Sequence, residues 1–190
     1  LSLPLGFLVT LCANCRFKPV KWLAEAYIFV MRGTPLMLQL FFFYYGLPFL
    51  PGIGQYLRLS SFAAAALSFT LNYAAYFAEI FRGGLLSIDR GQYEVSHVLG
   101  LTSFQTMTRI IIPQMIRVTL PSIGNEAITL VKDTALVASI ALPELLHYAK
   151  GIVTRDFTTT PFIVAAFIYL LITFVVTVLF KFAERKTNYE

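Results

Sequence analysis

Three stretches of this chain run without a charged side chain for about the width of a bilayer: Gly33 to Leu57, Leu59 to Ala78 and Phe157 to Phe180. A hydrocarbon core of about 30 Å needs about 20 mostly apolar residues as a helix, so each stretch is predicted to cross a membrane. A fourth apolar stretch, roughly Val118 to Leu142, differs in carrying Glu126, Lys132 and Asp133. At the front, Leu1 to Leu11 is apolar and ends in Cys12-Ala-Asn-Cys15-Arg16. Eleven residues rise about 17 Å as a helix, half a bilayer, which predicts the second half of a span that begins before this sequence. Between Phe17 and Met31 the pattern is amphipathic. That segment is expected to lie along the interface before the chain turns inward at Arg32-Gly33-Thr34-Pro35. The expected fold is an all-α integral membrane protein of five transmembrane helices, the first truncated, forming one domain over residues 1–190.

Composition agrees. The chain is 57% hydrophobic and 13% charged, against about 25% charged in soluble domains, and a core this size cannot hide that much apolar surface from water. The formal charge of +5 does not read as a nucleic-acid footprint, because the basic residues fall in short groups between apolar runs. Arg16, Lys18, Lys21 and Arg32 follow the first span; Arg82, Arg90, Arg109 and Arg117 lie between the third and fourth; Lys181, Arg185 and Lys186 close the chain. The positive-inside rule puts those segments in the cytoplasm, with the N-terminus outside and the C-terminus inside.

One loop, about residues 83–113, is too long and too patterned for a passive connector. Gln92 to Leu99 sets Tyr93, Val95, Val98 and Leu99 at helical spacing, and Gly100 follows as a predicted C-cap. A second helical stretch is expected from Thr102 or Ser103 to Ile112, stopped or bent at Pro113. Glu94-Val95-Ser96, Gly100 six residues after Glu94, and Ile110-Ile111-Ile112-Pro113 together resemble the "EAA" coupling motif of ABC importer permeases, with Val95 and Ser96 standing where that motif has alanines. Arg32-Gly33-Thr34-Pro35 with Gln39, Ala74-Ala75-Tyr76 with Glu79 and Arg82-Gly83, Leu120-Pro121 with Gly124-Asn125, and Lys132-Asp133-Thr134-Ala135-Leu136 resemble the polar amino acid branch of those permeases, so the likeness extends from about Leu3 to Arg185.

The resemblance implies a permease subunit in the cell membrane. It would dimerise with a second permease subunit, with itself or with a paralogue. An extracytoplasmic solute-binding protein would deliver an amino acid, and cytoplasmic ABC ATPase subunits would grip the coupling loop through Glu94, Gly100 and Pro113. No Gly-x4-Gly-Lys-Ser/Thr phosphate loop occurs in the chain, so ATP would be bound by a partner, and this chain would not itself be an enzyme. No cofactor is implied.

The substrate hypothesis rests on the fourth span. Glu126 and Asp133 are seven residues apart, which puts them two turns apart on one helix face. Ionisable groups at membrane depth usually face a cavity, and two carboxylates on one face can hold an ammonium or guanidinium group. The resemblance adds that matching positions contact substrate, with an acid at Glu126 accompanying basic amino acids in some members. Two plainer readings stand beside this: Asp133 pairing with Lys132, and Glu126 bonding Asn125 or Thr129. Asn72 and Tyr76 on the third span are further candidates, equally suited to helix packing. Cys12-x2-Cys15 has zinc-like spacing without partners to complete four ligands and is read as packing. His97 and His147 form no catalytic spacing, and Glu144 is expected on a solvated face. A secondary transporter or channel using Glu126 and Asp133 as an ion or proton site is the alternative from another class.

Overall fold

A computed structural model of the chain describes residues 1–187, all-helical and without a strand among them. Helix α1 (Ser2–Ala13) leads to α2 (Lys18–Gly33), which breaks by 103° into α3 (Leu36–Phe41). A π-helical turn (Phe42–Gly46) and a 3₁₀ turn (Leu47–Phe49) continue α3. Helix α4 (Ser61–Ser87) follows, then the short helices α5 (Arg90–Val98) and α6 (Ser103–Thr106). A second π turn (Met107–Ile111) joins α6 to α7 (Ile112–Asp133), and a 3₁₀ segment (Thr134–Ile140) precedes α8 (Leu145–Asp156) and α9 (Thr160–Thr187).

Small residues set the crossings, as expected where apolar surroundings give helices no hydrophobic reason to associate. A Cβ on Gly6 of α1 would lie 2.8 Å from the Ala74 carbonyl oxygen and 2.8 Å from Phe77 Cβ on α4. One turn on, the Thr10 hydroxyl is buried, near the Gly6 oxygen at 2.9 Å and the Ala78 oxygen at 3.0 Å. Gly84 of α4 meets Thr119 and Met115 of α7, and Gly124 of α7 meets the ring of Phe180 on α9. Tyr73, Phe77, Phe81 and Met115 fill the space between α4 and α7. The 3₁₀ segment tucks Val137 and Ile140 against Leu40 and Ala65. Helix α9 buries only 6% of its most apolar stretch, and Phe167, Leu170, Phe174 and Phe182 face outward, a surface made for lipid or a second subunit.

Several sequence boundaries move. Helix α4 carries on to Ser87, because Arg82 bonds the Glu79 carboxylate through two nitrogens at 2.7 and 2.9 Å one turn away. The loop therefore shrinks to the segment between Ser87 and Ser103. Pro113 does not end a helix but sits in the first turn of α7, entered from the π turn. The fourth apolar stretch starts and stops earlier than expected, at Ile112 and Asp133. Residues 145–156, assigned no element from the sequence, are helical; Glu144, expected on a solvated face, is half-buried and caps α8, its carboxylate accepting from the Leu146 and His147 amides and from the Tyr169 hydroxyl. By length and apolarity alone, α9 is the one described helix long and apolar enough to cross a membrane by itself, and the bent α2–α3 pair is a second candidate. Helices α4 and α7 carry the polar side chains of the interior, which dilutes their apolarity.

The glycine crossings generate a graded prediction. Gly6→Ala and Gly84→Ala force a methyl into occupied space and are expected to cost about 1–3 kcal/mol each. Gly83→Ala meets nothing within 4 Å and should be neutral or slightly stabilising. The thermal transitions of the purified membrane complexes in detergent check the order; equal values for Gly83→Ala and Gly84→Ala would contradict the close α4–α7 approach.

Candidate functional site

The break between α2 and α3 is a backbone problem with a side-chain solution. In a continuous helix the Met31 carbonyl would accept from residue 35, but Pro35 has no N–H. An orphaned carbonyl in apolar surroundings costs several kcal/mol. Gln39 Nε2 reaches the Met31 oxygen at 2.8 Å, and Asn72 Nδ2 reaches it at 3.0 Å. Gln39 also donates to Thr34 Oγ1 at 2.8 Å and accepts from Asn72 at 3.2 Å. The Tyr27 hydroxyl adds a tie to the Leu71 carbonyl of α4 at 2.6 Å. The sharp turn is thereby held against α4.

That turn is one wall of a cavity of about 390 Å³, within the size range of small-ligand sites. Arg32, Thr34 and Leu36 line it from the break, Asn72, Tyr73 and Tyr76 from α4, and Glu126, Thr129 and Asp133 from α7. All four residues singled out for substrate in the sequence, Glu126, Asp133, Asn72 and Tyr76, border this one space. They arrive there in different states. Asn72 is buried and spends both amide hydrogens on Met31 and Gln39. Asp133 Oδ2 accepts from the Tyr73 hydroxyl at 2.8 Å, while Lys132, its sequence neighbour, makes no ion pair with it. Glu126 is half-buried and accepts no hydrogen bond among the described residues; Thr129 turns instead to the Asn125 carbonyl at 3.1 Å. Tyr76 carries the Arg32 guanidinium over its ring at 5.4 Å. Sequence reasoning missed Tyr73 and Arg32 as lining groups; the register signal was present for Tyr73, one residue after Asn72 and four before Phe77.

The second group, Glu94, Gly100 and Pro113, lies far along the chain at the base of α7. Asp89 caps α5 by accepting from the Gly91 amide at 2.5 Å. Gly100 takes φ +73°, and the Leu101 and Gly100 amides donate to the Ser96 and His97 carbonyls at 3.0 Å each, a Schellman closure that L side chains resist. Thr102 and Gln105 then form a capping box that starts α6. Ser96 is fully buried with its hydroxyl on the Gln92 carbonyl, so the small residue of the motif is the one that packs, while Val95 points out. Glu94 is exposed, beside an uncovered apolar patch of Val95, Val98, Leu99 and Phe104. Pro113 is exposed too, near a tie between the Gln114 and Gln92 amides at 3.2 Å that joins α7 to α5.

Comparison with known proteins places this arrangement. Residues 2–189 match the family described as binding-protein-dependent transport system inner membrane component. The arginine transport system permease protein ArtQ of Bacillus subtilis is 38% identical over 98% of this chain and 84% of its own length. The L-cystine transport system permease protein TcyB of the same organism is 35% identical over 97% and 77%. A crystal structure of an amino acid ABC transporter with histidines superposes with a TM-score of 0.88 at 34% identity, covering 97% of this chain and 85% of that one. The methionine ABC transporter MetNI, in an inward-facing form, shares the fold at 17% identity and a TM-score of 0.78. The chain belongs to the family of binding-protein-dependent transport system inner membrane components. It is a multi-pass transport component of a membrane, and the ion-coupled secondary transporter reading falls away.

Proposed function

We propose that this chain is the membrane-spanning permease subunit of an ABC importer for a polar amino acid, with ATP hydrolysed on cytoplasmic partner subunits. The observation that carries the substrate class is the shared cavity of α4, α7 and the α2–α3 break, where Glu126 offers an unbonded carboxylate and Asp133 a second one. Relatives named for arginine and for cystine support an amino acid as cargo. In this reading the whole chain is one transmembrane domain of five spans, N-terminus out and C-terminus in. The spans are α1, the α3 region, α4, α7 and α9, with α2 along the cytoplasmic interface at right angles to α3. The basic residues on α2 and around the α5–α6 loop favour that orientation. A solute-binding protein delivers the amino acid from outside, a second permease subunit completes the path, and Glu126, Asp133, Tyr76 and Asn72 border the substrate.

Coupling follows from the loop. The apolar patch on α5 and α6, flanked by Glu94, is the surface for the ATPase, and α6 continues through the π turn into α7, which carries Glu126 and Asp133. Closure of the ATPases then rocks the helix that bears the substrate groups.

Three outcomes are expected. Glu94→Lys reverses an exposed charge, and Gly100→Trp forces a side chain into the left-handed region; both should leave the subunit inserted while binding-protein-stimulated ATP hydrolysis in vesicles falls at least tenfold. Full stimulation in both variants would remove the coupling role. With Cys12 and Cys15 changed to Ser, a cysteine replacing exposed Ile53 should react with a membrane-impermeant thiol reagent applied outside intact cells, and one at exposed Ser103 should not. Labelling of Ser103→Cys from outside would invert the topology. Glu126→Gln should weaken uptake of arginine or histidine roughly ten- to a hundredfold, the equivalent of about 1.5–3 kcal/mol for a lost charge-assisted bond, and change glutamine far less. Labelled uptake by the reconstituted complex with one fixed binding protein checks this; equal losses for every amino acid would make Glu126 a structural residue.

A further inference from the structure

Arg32 is the one cation bordering the cavity that holds Glu126 and Asp133. A guanidinium carries five N–H donors and no acceptor, yet Arg32 makes no hydrogen bond among the described residues. Its only ion pair among the described residues is with Glu79, at 3.4 Å, and Glu79 is already engaged by Arg82 through two bonds at 2.7 and 2.9 Å. Nor is Arg32 a loose surface side chain. The guanidinium lies over the Tyr76 ring at 5.4 Å from its centroid, a contact that steadies the plane and leaves its edge donors free. Its backbone sits at the end of α2, one residue from the Met31 carbonyl that Gln39 and Asn72 hold. A preorganised cation with unspent donors, 42% exposed in side chain and facing a cavity, is built for a planar anion.

The opposite polarity comes from α7. Glu126 and Asp133 present carboxylates to the same space, and none of the four ion pairs among the described residues joins either of them to Arg32. A cavity with one guanidinium and two carboxylates, kept apart, matches a ligand that carries both signs at once.

We propose that Arg32 receives the α-carboxylate of the transported amino acid, so that the cavity reads the zwitterion at both ends: carboxylate at Arg32, cationic groups at Glu126 and Asp133. The assignment rests on the amino acid reading above and adds a selectivity to it. An amine with the same side chain but no carboxylate leaves Arg32 unmatched and is refused by the permease itself, independently of any choice made by the binding protein.

The test uses the permease–ATPase complex reconstituted in vesicles without binding protein. Equilibrium binding is measured for whichever of labelled arginine, histidine and glutamine the wild-type complex holds most tightly, with its decarboxylated counterpart (agmatine, histamine or 4-aminobutanamide) as competitor. The wild type should favour the amino acid over the amine by at least tenfold. Arg32→Gln should lose roughly ten- to a hundredfold in affinity for the amino acid and less than threefold for the amine, erasing the preference. Arg32→Lys, which keeps the charge and loses the fork, should fall between the two. Parallel losses for both ligands, or an Arg32→Gln complex that still prefers the amino acid, would overturn the carboxylate assignment and leave the transport reading standing. Absence of displaceable amino acid binding in the wild type would overturn the Arg32 assignment together with the placing of substrate in this cavity.

Discussion

The structure turns on one carbonyl. Met31 lies four residues before Pro35, so its oxygen has no backbone donor, and in apolar surroundings that vacancy must be filled from side chains. Gln39 and Asn72 fill it, and in doing so they fix a 103° bend against α4. Without the bend α2 and α3 would run as one helix, with Arg32 and Leu36 on one face and Thr34 on the opposite one. With it they form one wall opposite α7. Two other prolines are handled differently: Pro48 and Pro113 each follow a π-helical turn by two residues, a register slip that eases the missing donor without a sharp bend at that point. At the second, Gln114 Nε2 also covers the Ile110 carbonyl at 3.0 Å.

On the proposed coupling, that contrast bears on how the two candidate sites would communicate. From Ser103 to Asp133 the backbone is helical throughout, so α6 and the groups that border the cavity belong to one lever, which the Gly100 turn joins to α5 and Glu94. The lever is clasped near its base by the Gln92–Gln114 contact and near its middle by Gly84 on Thr119 and Met115. Close packing of this kind transmits displacement because it has no slack to absorb it.

Much of this was legible in the chain before any coordinates. The all-helical class followed from apolar runs, the Gly100 turn from its place after an amphipathic stretch, and the common face of Glu126 and Asp133 from a spacing of two helical turns. What stayed hidden was mostly long-range. Tyr73 and Asp133 are sixty residues apart and meet only because α4 and α7 cross at Gly84. Lys132 and Asp133 are adjacent in sequence and for that reason diverge on a helix, where neighbours one apart do not face each other. Helix α4 outran its predicted end because Arg82 finds Glu79 one turn back, a pairing that hydropathy does not register. Helix α8 was missed because Lys150 and Arg155 interrupt the apolar run, although Glu144 is an N-cap that the acid just before Leu145 could have signalled.

Arg32 shows how one residue can be read correctly at one level and incompletely at another. In the sequence it counted as a topological charge on the cytoplasmic side, a role that needs only its sign. In the fold its donors matter more than its sign, because Tyr76 and the Met31 clasp hold it at the cavity edge with only the 3.4 Å ion pair to Glu79 on its guanidinium among the described residues. The charges around that cavity then constrain its cargo. Two carboxylates against one guanidinium leave one negative charge unbalanced, since the Glu79–Arg82 pair is neutral as a unit. On the proposed reading, a basic amino acid with its extra positive charge closes that balance, whereas a neutral one leaves a carboxylate to be hydrated or protonated within the membrane, at a cost in affinity. On that reading electrostatic balance would order the ligands, basic before neutral before acidic, while Arg32 would decide only that the ligand be an amino acid at all.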